Sequence, residues 1–422
     1  MSTLSLRALA TLAAIAIAIT SHAAPRAPLQ LTPDQGIALG LENNHLLKAA
    51  RNTIEQARAK SEGTGNWSSP ELSLNYANDA LFNNEGESNL GLSLKQNLPI
   101  TSRLYQLRQI SQMEIELAEA EIRNQERLLA EEIELTSIEL AHLDAQRAHR
   151  TELIELNQKL ASFVDSRVQL AEASSLDATQ VHIEHRILEQ DLIKLNRESH
   201  AKLAELNLLL GLEAHTPINI QLKFEIPVAP PYILPYAMEE LVEHPAYLLK
   251  SKLADIASQS TRLARINRWE DIAIELSLEN ERSADAPNGI SSNKFLGLGI
   301  SIPLPNRKRY QATYREKQSR WQQAEDTLHA TGITLDAAAL HIQEEILDIY
   351  RQAQHYRTKL TPLVDKNVQD MNTAYRSGQV SLTDLFRAQE QQLNLKSEYL
   401  ETIRDYLQAY GEWHSATGKN IK

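Results

Sequence analysis

The chain has 422 residues, is 42% hydrophobic, contains no cysteine and carries a formal net charge of −12. The missing thiols exclude disulfides, thiolate metal sites, a cysteine nucleophile and a lipid-bearing cysteine. The acidic balance argues against nucleic acid as a partner, because phosphate contacts require a basic face.

Residues 1–23 read as a secretory signal peptide. Arg7 supplies the positive charge, Ala8 to Thr20 a 13-residue apolar core, and Ser21-His22-Ala23 a small-residue cleavage site. That core is too short for an ordinary membrane helix, and no later segment holds 18 uncharged apolar residues in succession. An inner-membrane helical bundle is thereby excluded.

Residues 24–210 form the first of two expected structural repeats, opening with a helix. A β-hairpin follows at 67–98, where Glu71-Leu72-Ser73-Leu74-Asn75-Tyr76 and Leu90-Gly91-Leu92-Ser93-Leu94-Lys95 alternate with the period of a strand. The linker Asn78 to Asn89 has the polar composition of a hairpin loop. A long helix spans 103–170, with Ile115, Ala118, Ile122, Leu129, Ile133, Leu140 and Leu143 at coiled-coil spacing. The break Ala171-Glu172-Ala173-Ser174-Ser175 turns the chain into a returning helix, 176–210, stopped by Gly211. The proline-rich segment 211–236 is an equatorial connector containing a short strand near Ile218 to Leu222.

The second repeat, 237–416, has the same order. A helix leads to a hairpin at 269–303, whose strands alternate over Asp271 to Glu279 and Leu296 to Ile302, joined by a polar loop from Asn280 to Asn293. A long helix at 307–376 carries a stripe through Leu328, Leu335, Ile342, Ile346 and Ile349, interrupted only by Gly332 and Pro362. After the break Ser377-Gly378-Gln379-Val380-Ser381 comes a returning helix, 382–415, and a tail, 417–422. Trp67 and Trp269, Pro99 and Pro303, and Asp177 and Asp384 lie 202, 204 and 207 residues apart, which argues for internal duplication. A 70-residue helix would be roughly 105 Å long, so these helices must pack as a rod or tube.

The fold class is mainly α with a small β part. The strands present Leu, Ile and Tyr on one face and mostly Ser, Gly, Asn, Asp, Glu and Lys on the other. Two soluble hairpins packed on helices would show that pattern, and so would lipid-facing strands of an outer-membrane barrel. Four strands cannot close a barrel alone, so lipid-facing strands would require oligomerisation. Trp67 and Trp269, just before each hairpin, suit interfacial anchors.

Ser174-x-x-Asp177 and Ser381-x-x-Asp384 match a capping box that opens a helix. Symmetry would also gather copies of either aspartate around one axis, where Arg387, three residues after Asp384, could neutralise charge. Neither His182 and His185, with Glu184 and Glu189 nearby, nor His142 and His149 forms a recognisable ligand set, and scattered histidines on solvated helices account for them. No metal site, cofactor or catalytic constellation is expected; the chain does not read as an enzyme.

The run from Tyr375-Arg376-Ser377-Gly378-Gln379-Val380-Ser381-Leu382-Thr383-Asp384-Leu385-Phe386-Arg387-Ala388-Gln389 through Tyr399, Tyr406 and Thr417-Gly418 resembles the TolC-type outer-membrane efflux proteins. Ser69-Pro70-Glu71-Leu72, Gln96-Asn97-Leu98-Pro99 and Ile302-Pro303-Leu304-Pro305-Asn306-Arg307 are similar to that family's strand–helix junctions, most like its CzcC-like heavy-metal branch. The resemblance covers nearly the whole mature chain. It implies a homotrimer with a twelve-stranded outer-membrane β-barrel and a periplasmic α-barrel. It also implies a periplasmic adaptor, a membrane fusion protein, and an inner-membrane resistance-nodulation-division pump. The implied role is a passive duct for divalent metal cations of the cobalt, zinc and cadmium type. Alternatives are the same duct serving drugs or polypeptides, or a periplasmic adaptor or tether. Carried over, Asp177, Asp384, Arg387 and Gly378 belong to the periplasmic gate. Ala171, Glu172, Ser174, Ser377, Gly378 and Ser381 belong to the tips that meet the adaptor. The chain departs from the family at Ala171, where glycine is usual, and at Arg387, which replaces an acid of some members.

Overall fold

A computed structural model describes residues 28–81, 85–228, 241–285 and 289–419. The signal peptide expected at 1–23, the part of the connector beyond residue 228, the expected start of the second repeat at 237 and the last three residues lie outside the described residues.

Strand β1 (Leu29–Leu31) leads into α1 (Pro33–Asn43) and α2 (His45–Gly63), then β2 (Glu71–Asn78) and β3 (Ser88–Leu98). Helix α3 (Arg103–Gln169) runs unbroken for 67 residues and α4 (Ser175–Leu209) returns. After β4 (Ile218–Ile220) the order repeats with α5 (Pro245–Ile266), β5 (Ile272–Asp285), β6 (Gly289–Ser301), α6 (Arg307–His355), α7 (Thr361–Arg376) and α8 (Leu382–Ala416).

The chain is helical at every residue of 307–376 but changes pitch once along the way. A π-turn at Tyr356–Leu360 separates α6 from α7. Its cause is Pro362, which has no N–H to give the carbonyl one turn earlier and whose ring crowds that carbonyl. Widening the helix by one residue re-pairs the backbone at modest cost.

The contacts divide the chain into two units, each drawn from both repeats. One holds the residues up to Asn44, Glu132–Ile226 and Gln352–Leu407; the other holds His45–Glu131, Pro227–Arg351 and the residues from Gln408. In the first, β1 pairs in parallel with β4. Gly36 and Gly40 give α1 a smooth face, against which Ile133 of α3 and Leu209 and Leu210 close. A side-chain carbon at Gly40 would lie 2.4 Å from Ile133. In the second unit, ion pairs Arg51–Glu126, Lys60–Glu114 and Lys252–Glu116 tie α2 and α5 to α3. These pairs are largely exposed, so each contributes about 0–1 kcal/mol, and the apolar seams dominate.

The second unit also holds an antiparallel four-stranded sheet in the order β2-β3-β5-β6. Its register aligns two leucine rows across all four strands: Leu74, Leu92, Leu278 and Leu296, and Leu72, Leu94, Leu276 and Leu298. All eight are at least 41% exposed. The alternate rows carry Ser73, Ser93, Ser277 and Gly297, and Glu71, Lys95, Glu275 and Gly299. Among the described residues, the outer edges of β2 and β6 pair with no strand. The polar segment Asn280 to Asn293, expected as a loop, is mostly strand: β5 continues to Asp285 and β6 begins at Gly289. Pairing is a property of the backbone, and here polar side chains reinforce it, Ser283 with Ser291 at 3.0 Å and Ser292 with Asn280 at 3.0 Å.

Each returning helix ends at a glycine in the left-handed region, Gly211 (φ +70°) and Gly418 (φ +70°). The Leu212 amide donates to Asn207 and the Lys419 amide to His414, closing a Schellman motif at both ends. In each repeat this glycine is seated just before the helix that leads to the hairpin, Gly211 on Asn43 and Asn44 ahead of α2, Gly418 on His244 and Pro245 at the start of α5. A methyl group at Gly211 would lie 2.5 Å from the Asn43 carbonyl oxygen, whereas at Gly418 the nearest atom is 3.2 Å away. Gly211→Ala is therefore expected to lower the unfolding free energy by more than the roughly 1–2 kcal/mol of the left-handed backbone alone, and by more than Gly418→Ala does. Denaturant unfolding of the two variants beside the parent protein measures the difference.

Candidate functional site

The two interhelical turns sit above one core. Leu160, Ala161 and Val164 of α3, Val181 of α4, Tyr375 of α7, and Leu382 and Leu385 of α8 form a single buried cluster, with Phe163 packed against it. Phe163 meets Tyr375 edge-on, ring centroids 6.4 Å apart, and the guanidinium groups of Arg167 and Arg376 lie 5.8 and 5.3 Å from its centre. Two cations on one aromatic ring fasten the last turns of α3 and α7 to each other. Sequence reading passed over this cluster as a site, although aromatic and arginine residues directly before each turn were its visible signal.

Both turns use the same backbone. At the second, Gly378 has φ +75°, and the Gln379 amide donates to the Ala374 carbonyl at 2.8 Å. At the first, the Glu172 amide donates to the Arg167 carbonyl at 2.8 Å and Ala171 takes φ +60°, the one positive φ outside glycine among the described residues. The departure from glycine thus leaves the turn intact and places the cost in the alanine backbone, about 1 kcal/mol. Glu172 folds back to Arg167 at 3.5 Å.

The helix starts differ where the sequence suggested equivalence. Ser381 and Asp384 form a reciprocal capping box: the Asp384 amide donates to the Ser381 hydroxyl oxygen at 3.2 Å, and the Ser381 hydroxyl and amide donate to the Asp384 carboxylate at 2.6 and 3.3 Å. At the first turn the Ser174 hydroxyl accepts from Leu176 instead, so Ser174 and Asp177 do not form the expected reciprocal box. With Ser174 turned to the second helical amide, its oxygen is spent before Asp177. The Asp177 charge instead faces Tyr375, whose phenol is pushed above its usual pKa by burial first and by that aspartate second.

The Asp384 carboxyl is held below the usual carboxylate range, chiefly by the two Ser381 hydrogen bonds and less by the Arg387 charge. Arg387 does not neutralise it in the direct way the sequence suggested. Among the described residues no ion pair joins the two, because the capping geometry turns the carboxylate back toward Ser381. Ser377 donates to the carbonyls of Thr373 and Ala374, finishing α7.

The histidines correct another expectation. His142 is 2% exposed, and burial first and the Arg404 charge second bring its pKa down to about 4. His149 is half-buried and its pKa is likewise depressed, chiefly by burial and then by Lys396. These two are core residues of the helical packing, with His142 against Phe224, and not residues of solvated faces. His182 and His185 meet different carboxylates, Asp165 at 3.2 Å and Glu189 at 3.4 Å. Among the described residues no three His, Asp or Glu side chains gather into a metal-holding group. At the sheet, Trp67 and Trp269 stand exposed just before β2 and β5.

No family model and no curated protein matches this sequence. The solved structures define the class: the chain has the fold of TolC-type outer-membrane channels. In particular it is similar to CusC, at 18% identity over 92% of each chain with a TM-score of 0.75. It is similar to the outer-membrane protein VceC of Vibrio cholerae, at 14% identity over 92% of this chain and 96% of that one, TM-score 0.71. The open state of the MtrE outer-membrane channel of Neisseria gonorrhoeae matches at 13% identity over 92% and 89%, TM-score 0.72.

Ala171→Gly is expected to stabilise the first turn by up to about 1 kcal/mol, and Gly378→Ala to weaken the second by a similar amount. Hydrogen exchange at the Glu172 and Gln379 amides reads each turn separately. Because the folded state holds His142 neutral, stability is full above the unfolded histidine pKa near 6.5 and declines as pH falls from there toward about 4. His142→Leu should flatten that part of the pH profile in thermal unfolding.

Proposed function

We propose that this chain is the outer-membrane channel of a tripartite efflux system, a passive duct through which a partner pump drives export. The supporting observation is the sheet: two leucine rows cross all four strands, lie exposed, and end at two edges that pair with no strand among the described residues. A strand edge inside lipid must find backbone partners, since nothing else there can satisfy its N–H and C=O groups. Three copies would join β6 of one chain to β2 of the next and close twelve strands. The leucines then face lipid, and the rows of serine, glycine and charged residues face a water-filled lumen.

In this reading the protein resides in the outer membrane and extends into the periplasm, with Trp67 and Trp269 at the lipid boundary. The turns at Ala171, Glu172, Ser174, Ser377, Gly378 and Ser381 receive a periplasmic adaptor, which links the duct to a resistance-nodulation-division pump. Asp177, Asp384 and Arg387 line the mouth and set its charge. Divalent metal is the proposed cargo, supported by the CzcC-like junction sequences and by the acidic character of the chain. The chain performs no catalysis, and the pump supplies the energy.

Leu278→Arg, on the lipid-facing row, is expected to cost about 2–4 kcal/mol at the bilayer midplane. It should deplete the heat-modifiable oligomer from the outer-membrane fraction, while Ser277→Arg on the opposite face leaves it in place. Equal recovery of both variants would remove the barrel. In cells lacking the gene, lost tolerance to detergents and dyes with unchanged zinc, cobalt and cadmium tolerance would remove the metal cargo alone.

A further inference from the structure

The charge of this chain is unevenly placed. Overall it is −12, yet residues 262–270 and 303–315 carry Arg262, Arg265, Arg268, Arg307, Lys308, Arg309 and Arg315 against the single acid Glu270. These segments flank the ends of β5 and β6 and enclose a surface cavity of about 460 Å³, whose walls include Arg103, Arg268, Trp269, Leu304, Arg309 and Tyr310.

Helix formation does not explain the cations at the start of α6. Arg307, Lys308 and Arg309 occupy the first turn, where the positive end of the helix dipole disfavours cations, and no acid shares that turn. The free amides there are already served by Asn306, whose side-chain oxygen accepts from Lys308 and Arg309 at 3.2 Å each. Other parts of the chain do not balance these charges either. Among the described residues, Arg268, Arg307, Lys308 and Arg309 make no ion pair, in contrast to Arg103, which is bonded to Asp271. With Arg103 paired to Asp271, Arg268 and Arg309 share the wall with the single carboxylate of Glu270, and that excess of positive charge, kept against the local electrostatics, is complementary to an anion from outside.

The apolar surroundings specify which anion. Ile302 and Leu304, between the end of β6 and α6, are 58% and 87% exposed, and Trp269 shares the cavity wall with Leu304. The register carries the leucine rows of the sheet toward this junction through Ile274 and Ile300. An apolar surface that passes into indole and then into guanidinium groups has the sequence of environments met along one lipid molecule, from acyl chain through interface to phosphate. Guanidinium forks suit phosphate oxygens, and the excess of positive charge favours a headgroup with net negative charge over a zwitterionic one.

We infer that the cavity at the ends of β5 and β6 binds the phosphate headgroup of an anionic phospholipid, held by Arg268 and Arg309 with its chains along Trp269, Leu304 and the leucine face. This rests on the outer-membrane placement proposed above.

The test uses the full-length oligomer, delipidated in detergent and titrated with phosphatidylglycerol or with phosphatidylethanolamine of identical acyl chains, with bound lipid counted by native mass spectrometry. The parent protein should retain phosphatidylglycerol at least tenfold better. Arg268→Gln with Arg309→Gln should lose that retention by roughly 30-fold, as expected for two cations at a lipid surface. Arg351→Gln, which removes a cation paired with Asp348, should not. Equal retention of the two lipids, or an unaffected double variant, overturns the lipid site, and so does displacement of phosphatidylglycerol by millimolar inorganic phosphate, which would mark a simple phosphate site. Liposome insertion of the parent protein separates the two levels. Insertion without headgroup preference defeats this site alone, whereas failure to insert defeats the duct and the site together.

Discussion

Backbone hydrogen bonding at the two outer strands governs what this fold can be. Among the described residues the rims of this sheet are unpaired and its leucines uncovered, two features that each cost free energy in a lone copy in water. Water would satisfy the rims but penalise the leucines, and lipid would do the reverse. Only lateral closure with further copies serves both demands, which is why oligomerisation is built into the proposed duct. The helices meet only half of this problem, since their backbones are paired along their length while apolar side chains such as Ile183, Ile193, Leu208 and Ile333 stay exposed.

Much of the architecture was legible from periodicity. The two-residue repeat over Glu71 to Tyr76 and Leu90 to Lys95 and the coiled-coil spacing after Arg103 each left a clear pattern. What stayed hidden was what backbone pairing does without side-chain help. Asn280 to Asp285 looks like a loop because its side chains are polar, but its carbonyls and amides continue the ladder begun by the leucines. Strand β1 is three residues long and has too little sequence to show any period. Pro362 was visible, but whether a proline ends, kinks or widens a helix depends on how its neighbours re-pair, and that is a tertiary outcome.

The candidate site was legible to a lesser degree. Gly378, Ser381 and Asp384 announce a turn and a cap, and the structure places them in those roles. The first turn shows the limit of reading by analogy, because Ser174 and Asp177 share the spacing of Ser381 and Asp384 without sharing their bonds. The choice between the second and third helical amide depends on the serine's side-chain torsion, which spacing does not encode. His142 and His149 were misplaced for a related reason: histidine on a long amphipathic helix is equally compatible with the wet and the dry side. Phe163, Arg167, Tyr375 and Arg376 come from helices distant in sequence, so their meeting is a fact of packing.

The seating of Gly211 on Asn43 and of Gly418 on His244 makes each half of the chain a loop whose tail rests against its own head. The second joint also leans on the first half: the Arg127 guanidinium donates to the Ser415 hydroxyl, which donates to Glu131, while the Ser415 carbonyl is bonded to His244. The second repeat's lock is thus keyed to the first repeat's long helix, so the halves are held to a common register there while their turns drift in detail, as the alanine at one and the glycine at the other record.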